Sequence, residues 1–148
     1  MSSSNKSKKI LIFSVRKKWA SLIEAGEKSV EFRKRFSVFV PGQETYVVLY
    51  VTRPQKSIIG MCGIKKIEAD FPENIWNRYG NLSCVSETEF ALYAARSRYL
   101  CAVELTRLIK FPKPLHLDHL RATLNFRPPI SWRWASETEE QFFWSALL

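Results

Sequence analysis

Residues 10–35 read ILIFSVRKKWASLIEAGEKSVEFRKR, and this stretch decides the fold class. Its first six residues form a short apolar run bounded by charge, which predicts a buried strand. Apolar residues then recur at helical spacing from Trp19 to Ile23, and Gly26 is placed to end that helix in the left-handed conformation. The first unit is therefore a strand, a short helix and a glycine turn.

The next segment, residues 29–36, alternates between apolar and charged side chains. A period of two residues predicts a half-buried strand, with Val30 and Phe32 on the core face. Lys28 enters this strand from the glycine turn. The opposite face carries Glu31, Arg33 and Arg35.

Three further segments have strand character. TYVVLYV (45–51) is rich in β-branched and aromatic residues and predicts a central strand. SIIGMCGIKKIEA (57–69) predicts a long strand whose two glycines allow a bulge or bend. YLCAVELTRLIKF (99–111) predicts another strand, which the prolines after it should end.

Helical signals lie between and after these strands. Residues 73–80 predict a short helix that stops at Gly80, and Ser86 with Glu89 forms a capping-box pattern for the next one. A helical turn in HLDHLRATL and a capped terminal helix in SETEEQFFWSALL follow. Because regular βαβ alternation is missing, we expect an α+β fold built on a small mixed or antiparallel barrel. About five to six strands with helical excursions are predicted.

Charge and length define the class of protein. The 148 residues contain 23 Lys and Arg against 14 Asp and Glu, a net charge of +9. This excess favours polyanionic partners. Residues 1–9 predict a disordered basic tail, and residues 10–148 predict one domain with a single core.

The remaining composition argues against several kinds of chemistry. Cys62, Cys84 and Cys101 lack metal-ligand spacing and are expected to be reduced, buried thiols. His116 and His119 have no third ligand nearby, so no metal and no cofactor are predicted. The apolar run after the basic start is too short for a signal peptide or membrane span. We therefore expect a cytoplasmic protein, and no membrane contact is expected either.

The charged residues around Glu31 can form a site. Cations beside Glu31 keep its carboxylate ionised, and that carboxylate can accept hydrogen bonds from a base, act as a general base, or only hold the arginines. A solvated ion-pair ladder is the alternative. Lys17 and Lys18 begin the first helix near its positive dipole end, which indicates either an anionic partner or an ordinary solvated turn.

Aromatic residues provide a second clue, because stacking on aromatic rings is how proteins hold unpaired bases. Most of the tryptophans are expected in the core. Trp19 and Trp132 adjoin the charged segments and are the predicted ligand contacts, and Arg133 beside Trp132 can cap a carbonyl or pair with Glu31.

Four segments together resemble the ASCH domain family. Residues 10–35 carry its strand, helix and G-x-K-x-x-x-x-R pattern at Gly26, Lys28 and Arg33. YVVLYVTRPQKSIIGMCGI is similar to the family's strand that ends in a small-Pro pair and resumes in a glycine-containing strand. WNRYGNLSCVSETEFALY resembles its helical insert, and FRPPISWRW resembles its closing PP-x-S-[YWF]-R segment.

The resemblance implies a PUA-like β-barrel with a cleft, linked to recognition of RNA and modified nucleotides. Some small bacterial members remove the acetyl group from acetylcytidine, and ribonuclease activity has been attributed to others. The acetylcytidine-cleaving members use a Lys that matches Lys28, a Thr at the position of Glu31 and a distal Glu. Since Glu31 has no hydroxyl group, binding is the first hypothesis and catalysis the second.

Three functions follow as predictions. The first is a module that binds RNA or a nucleotide, modified or not, in a basic cleft. The second is a hydrolase for acylated cytidine nucleosides or for RNA, with Lys28 and Glu31 as catalytic residues. The third is a transcription-related interaction adaptor that uses the acidic, aromatic residues 136–148. The predicted nucleic-acid-binding residues are Lys17, Lys18, Trp19, Lys28, Glu31, Arg33, Arg35, Trp132 and Arg133.

Overall fold

The computed structural model describes residues 8–34, 36 and 44–148. Among these residues the strands are β1 (Lys8–Val15), β2 (Val30–Arg33), β3 (Glu44–Val51), β4 (Ser57–Asp70), β5 (Leu100–Leu105), β6 (Ile109–His116) and β7 (Trp132–Trp134). The helices are α1 (Lys17–Glu24), α2 (Pro72–Ser83), α3 (Glu87–Ala94), α4 (Leu117–Leu124) and α5 (Glu137–Ala146).

The strands form one mixed sheet in the order β2-β5-β4-β3-β1-β7, with β6 also paired to β4. β1 and β3 run parallel, whereas the other pairs are antiparallel. β4 pairs with β3 and β6 along its first part and with β5 along its last part. Its register shifts next to Gly60 and again beyond Gly63, so the sheet curls into a half-barrel. The predicted mixed α+β barrel is confirmed.

Both faces of β1 are buried, which explains its continuous apolar run. Leu11 and Phe13 belong to a cluster on the side of α1, whereas Ile10 and Ile12 pack on the side of α4 and α5. A third cluster joins β2 and β5 to α2 and α3. These two helices therefore stand over β2, the strand that carries Glu31.

Two strand predictions need correction. Residues 99–111 do not form one strand, because Thr106 interrupts the pairing and its Oγ1 accepts a hydrogen bond from Gly63 N at 2.7 Å. Pro112 and Pro114 do not end a strand but lie within β6. Among the strands that the structure describes, β6 pairs only with β4, and an edge strand tolerates residues without an N–H donor.

Three other predictions change as well. α2 does not stop at Gly80 but continues to Ser83 and ends at Cys84, which adopts the left-handed conformation; at Gly80 the ring of Trp76 fills the space that a side chain would need. Cys84 is exposed, whereas Cys62 and Cys101 are buried free thiols as expected. Residues 1–7 of the predicted tail lie outside the described residues, and Lys8 with Lys9 belongs to β1. Within the described part of the chain, no helix is long and apolar enough to cross a membrane.

Candidate functional site

Lys28 is buried at the end of the glycine turn. Gly26 adopts φ +81°, and the Lys28 backbone N–H then donates to the carbonyl of Leu22 at 3.1 Å, which folds the chain back on α1. The Lys28 side chain is turned inward, so only 3% of the residue is exposed. Its Nζ donates to the carbonyl of Ser83, the last residue of α2, at 2.6 Å. Burial lowers the pKa of Lys28, and the neighbouring Glu31 opposes part of that shift.

Glu31 lies between two cations on β2. Its Oε1 is 3.5 Å from Lys28 Nζ, and its Oε2 accepts a hydrogen bond from Arg33 Nη2 at 2.6 Å. Arg33 also donates to the carbonyl of Ser14 at 3.1 Å and to the carbonyl and hydroxyl of Ser131 at 3.2 Å each. The guanidinium therefore ties β2 to β1 and to the segment that leads into β7.

One donor of this network has no acceptor. The Nε of Arg33 is buried and makes no hydrogen bond to any described residue. The guanidinium lies over the ring of Phe13, with Cζ 4.4 Å from the ring centroid. Burying a donor without an acceptor is unfavourable by roughly 1–3 kcal/mol. The buried Nε of Arg33 therefore lowers the stability of the fold, and an apolar side chain at this position would not carry that penalty.

The three charged residues line an open cleft of about 530 Å³, called the Lys28 cleft below. Lys18 and Lys28 both approach the ring of Trp19, with Nζ 4.6 Å and 4.9 Å from its centroid. Four cationic and two carboxylate side chains line the cleft, together with aromatic and small residues. The lining residues are Ser14, Val15, Arg16, Lys18, Trp19, Lys28, Glu31, Phe32, Arg33, Val85, Glu89, Phe90, Leu92 and Tyr93.

An ion pair spans the mouth of the Lys28 cleft. Lys18 Nζ on α1 lies 3.1 Å from Glu89 Oε2 on α3, and both side chains are largely exposed to solvent. Glu89 Oε1 also accepts from the backbone N–H of Ser86, so the capping box of α3 fixes this carboxylate. On the other side, the Tyr93 hydroxyl donates to the carbonyl of Phe32 at 3.3 Å. α3 therefore forms one wall of the cleft.

Not every predicted residue lies in the Lys28 cleft. Arg133 makes two hydrogen bonds of 2.8 Å to the carboxylate of Glu139, so it holds α5 and does not pair with Glu31. Trp132 is half-buried against the ring of Phe36. Lys17 is exposed and outside the lining, and Arg35 lies outside the described residues.

The prediction of a half-buried β2 is wrong in one respect. All four residues of β2 are buried, including Glu31 and Arg33 on the charged face. Those two charges are tolerated because they pair with each other, with Lys28 and with backbone carbonyls. A solvated ion-pair ladder does not describe this strand.

The sequence did not predict several residues of the site. Ser83 and Ser131 contribute carbonyl groups from segments far along the chain, and no local pattern indicates such a contact. For Tyr93 and Glu89 the sequence offered only the capping box of α3. That motif predicted where the helix begins, but it did not predict that the helix contacts α1.

The mixed half-barrel with a cleft between β2, α1 and α3 defines a PUA-like α+β domain. A family model described as a domain of unknown function (DUF365) matches residues 8–123. An ASCH domain-containing ribonuclease from Zymomonas mobilis is 32% identical over 135 residues, which cover 90% of this chain and 89% of that protein. The chain therefore belongs to the ASCH domain family and, over residues 8–123, to the DUF365 family.

Solved structures agree with this assignment. The crystal structure of ASCH from Zymomonas mobilis is 30% identical with a TM-score of 0.80, and the match covers 92% of this chain and 94% of that one. The human THYN1 protein, in complex with DNA containing 5-methylcytosine, is 11% identical with a TM-score of 0.54. That match covers 93% of this chain and 96% of THYN1, and at this identity it shows a shared fold alone.

Proposed function

We propose that this chain binds single-stranded RNA and takes one nucleotide into the Lys28 cleft. The observation that supports it best is the joint burial of Lys28, Glu31 and Arg33 beneath an open cleft. Removing each such ion from water is unfavourable by several kcal/mol, and buried ion pairs seldom improve stability over apolar packing. The pKa of Lys28 is lowered by burial, and a titratable group perturbed in this way within a cleft is typical of functional sites.

The chemistry of the cleft suits a nucleotide. Its volume of about 530 Å³ lies within the range of small-molecule sites, roughly 300–1,000 Å³. When the exposed Lys18 turns from the ring of Trp19 to a phosphate at the mouth, that ring can take a base. Glu31 Oε1 is 3.5 Å from Lys28 Nζ, which is longer than a strong hydrogen bond. This oxygen can therefore still accept a hydrogen bond from the amine of a base.

The Zymomonas relative supports nucleic acid as the class of partner, because it is named a ribonuclease. The strongly basic composition of this chain, at a net charge of +9, suits the same class of partner. A cleft that takes one nucleotide requires unpaired or extruded bases, which favours single strands.

Two neighbouring lysines allow a matched test. Lys18 lines the cleft, whereas Lys17 is exposed on the same helix outside it. Binding of short single-stranded RNA is measured by fluorescence anisotropy over a range of salt concentrations. Lys18→Gln should make the dependence of log affinity on log salt shallower by about 0.7, the value for one phosphate contact on a single strand. Lys17→Gln should leave it unchanged; equal effects, or no RNA binding by the wild type, would contradict the proposal.

Hydrolysis of RNA is the second candidate, and the name of the Zymomonas relative favours it. Glu31 would accept the proton of the attacking oxygen as it bonds to phosphorus, and the Lys28 ammonium would donate a proton to the leaving oxygen as its bond to phosphorus breaks. Burial lowers the pKa of Lys28, which makes that donation easier. Incubation with RNA and, separately, with acylated cytidines tests both substrate classes. Turnover that survives in folded Lys28→Ala and Glu31→Gln variants would exclude this site from the reaction.

A further inference from the structure

Two exposed aromatic rings stack on each other at the end of the sheet. Phe71 directly follows β4 and Tyr99 directly precedes β5, and the last pair of that ladder, Asp70 with Leu100, places them opposite each other. Their ring centroids are 5.2 Å apart and the rings are inclined by 18°. Phe71 is 44% exposed and Tyr99 is 53% exposed, so the pair contributes little to the core.

Charged residues of both signs flank this pair, called the Tyr99 platform below. On the Phe71 side, Asp70 accepts a hydrogen bond from the Phe71 backbone N–H and pairs with Arg78, whereas arginines lie on the Tyr99 side. The guanidinium of Arg98 lies 5.6 Å from the ring centroid of Tyr99. Arg96 is exposed two residues earlier in the same loop. Exposed aromatic rings beside cations are what proteins use to stack unpaired bases and to hold the phosphates between them.

The platform and the Lys28 cleft lie at the same end of β2 and β5. The last residue pair of those strands joins Arg33, which lines the cleft, to Cys101, two residues after Tyr99. Lys34 follows Arg33, and its Nζ lies 4.6 Å from the ring centroid of Tyr93 in the cleft wall. Neighbouring strands are about 4.8 Å apart, so Tyr99, next to β5, lies about one strand spacing from the line of β2, and Phe71, next to β4, lies about two spacings or roughly 10 Å away.

We infer that the Tyr99 platform is a second base-binding site, for a nucleotide next to the one in the Lys28 cleft. The inference rests on the proposed function and adds a subsite to it. A base of the RNA stacks on the exposed part of Phe71 or Tyr99, and Arg98 meets the adjoining phosphate. The RNA strand passes from one site to the other along Lys34, which follows Arg33 and lies against Tyr93 of the cleft wall.

The test compares two ligands and three variants. Ligands are a nucleoside monophosphate, which can fill the cleft alone, and an RNA oligonucleotide long enough to reach the platform. Tyr99→Ser should weaken binding of the oligonucleotide by about fivefold to 150-fold, the value of one base–aromatic stack, and leave the monophosphate unaffected. Tyr99→Phe should restore oligonucleotide affinity because it retains the ring. Ile109→Ala, at an exposed apolar residue of β6, is the matched control.

The outcomes separate this inference from the proposed function. If the oligonucleotide binds the wild type and the Tyr99→Ser variant equally well, the platform is refuted and the cleft stands. If Tyr99→Ser weakens both ligands by the same factor, the platform is also refuted, because the substitution then acts on the cleft. If the wild type binds neither ligand, both proposals fail.

Discussion

Replacing Glu31 by Gln removes the carboxylate that lies between two buried cations. Its oxygens are 3.5 Å from Lys28 Nζ and 2.6 Å from Arg33 Nη2. The side chains of Lys28 and Arg33 are 1% and 9% exposed, so solvent cannot screen the charges that remain. Breaking a buried pair by removing one partner costs about 3–5 kcal/mol. We expect Glu31→Gln to lower the free energy of unfolding by about that amount.

The loss should depend on pH through Lys28. Burial lowers the pKa of Lys28 from its ordinary value of 10.5, and Glu31 opposes part of that shift, so the substitution lowers the pKa further. Between the folded-state pKa and 10.5 the unfolded chain binds more protons than the folded chain, and stability therefore rises with pH. The destabilisation by Glu31→Gln is greatest below the folded-state pKa of Lys28 in the variant. It decreases as the pH rises from that pKa to the higher folded-state pKa of Lys28 in the wild type.

Urea denaturation at a series of pH values, followed by circular dichroism, measures both effects. Glu139→Gln is the matched control, because Glu139 is also buried and pairs with one arginine at 2.8 Å. That arginine, Arg133, has a side chain that is 30% exposed, so its charge stays partly solvated after the substitution. The control should lose less stability and lack the Lys28 pH dependence. Equal losses, or a loss below the ~1 kcal/mol of surface pairs, would refute the reasoning.

Three further expectations follow from single contacts. Trp19→Leu should weaken nucleotide binding in the cleft by about 1–3 kcal/mol in a titration, and unchanged affinity would remove Trp19 from the site. Glu89→Gln frees Lys18 from its exposed ion pair and keeps the capping position, so RNA affinity should rise by about 0.2–1 kcal/mol while the salt slope stays that of the wild type; an unchanged or weaker affinity would contradict this. Gly60→Ala places a Cβ 2.4 Å from the carbonyl oxygen of Ile109 and should destabilise the fold by about 1–3 kcal/mol in thermal unfolding. An unchanged melting temperature would contradict this, because it would mean that β4 and β6 separate without cost.

Local signals predicted the elements that surround the site. The apolar run, the helical spacing and Gly26 define β1, α1 and the turn within one short stretch, and both capping boxes form as their residues indicate. The glycines of residues 57–69 predicted the bend that lets β4 serve two parts of the sheet. In each case the physical cause lies within a few residues of its effect.

Contacts between distant segments could not be predicted in this way. Lys28 donates to a carbonyl that is 55 residues away in sequence, and Arg33 to one that is 98 residues away. Backbone carbonyls have no sequence signal of their own, because every residue carries one. The pairing of Arg133 with Glu139 could not be predicted for the same reason, because it depends on α5 folding back onto the barrel. The acidic residues of that helix stabilise its first turn through the capping box, and Phe143 packs the helix against the barrel.

The position of Glu31 bears on the choice between binding and hydrolysis. The acetylcytidine-cleaving proteins that the sequence resembles have a Thr there, whose hydroxyl needs no counter-ion, whereas Glu31 neutralises one of two buried cations. To act as a base through Oε2, Glu31 must first break its 2.6 Å hydrogen bond with Arg33. To accept a hydrogen bond at Oε1, it need not rearrange, because Lys28 Nζ is 3.5 Å away. The geometry at this residue therefore favours recognition of an amine-bearing base over proton transfer.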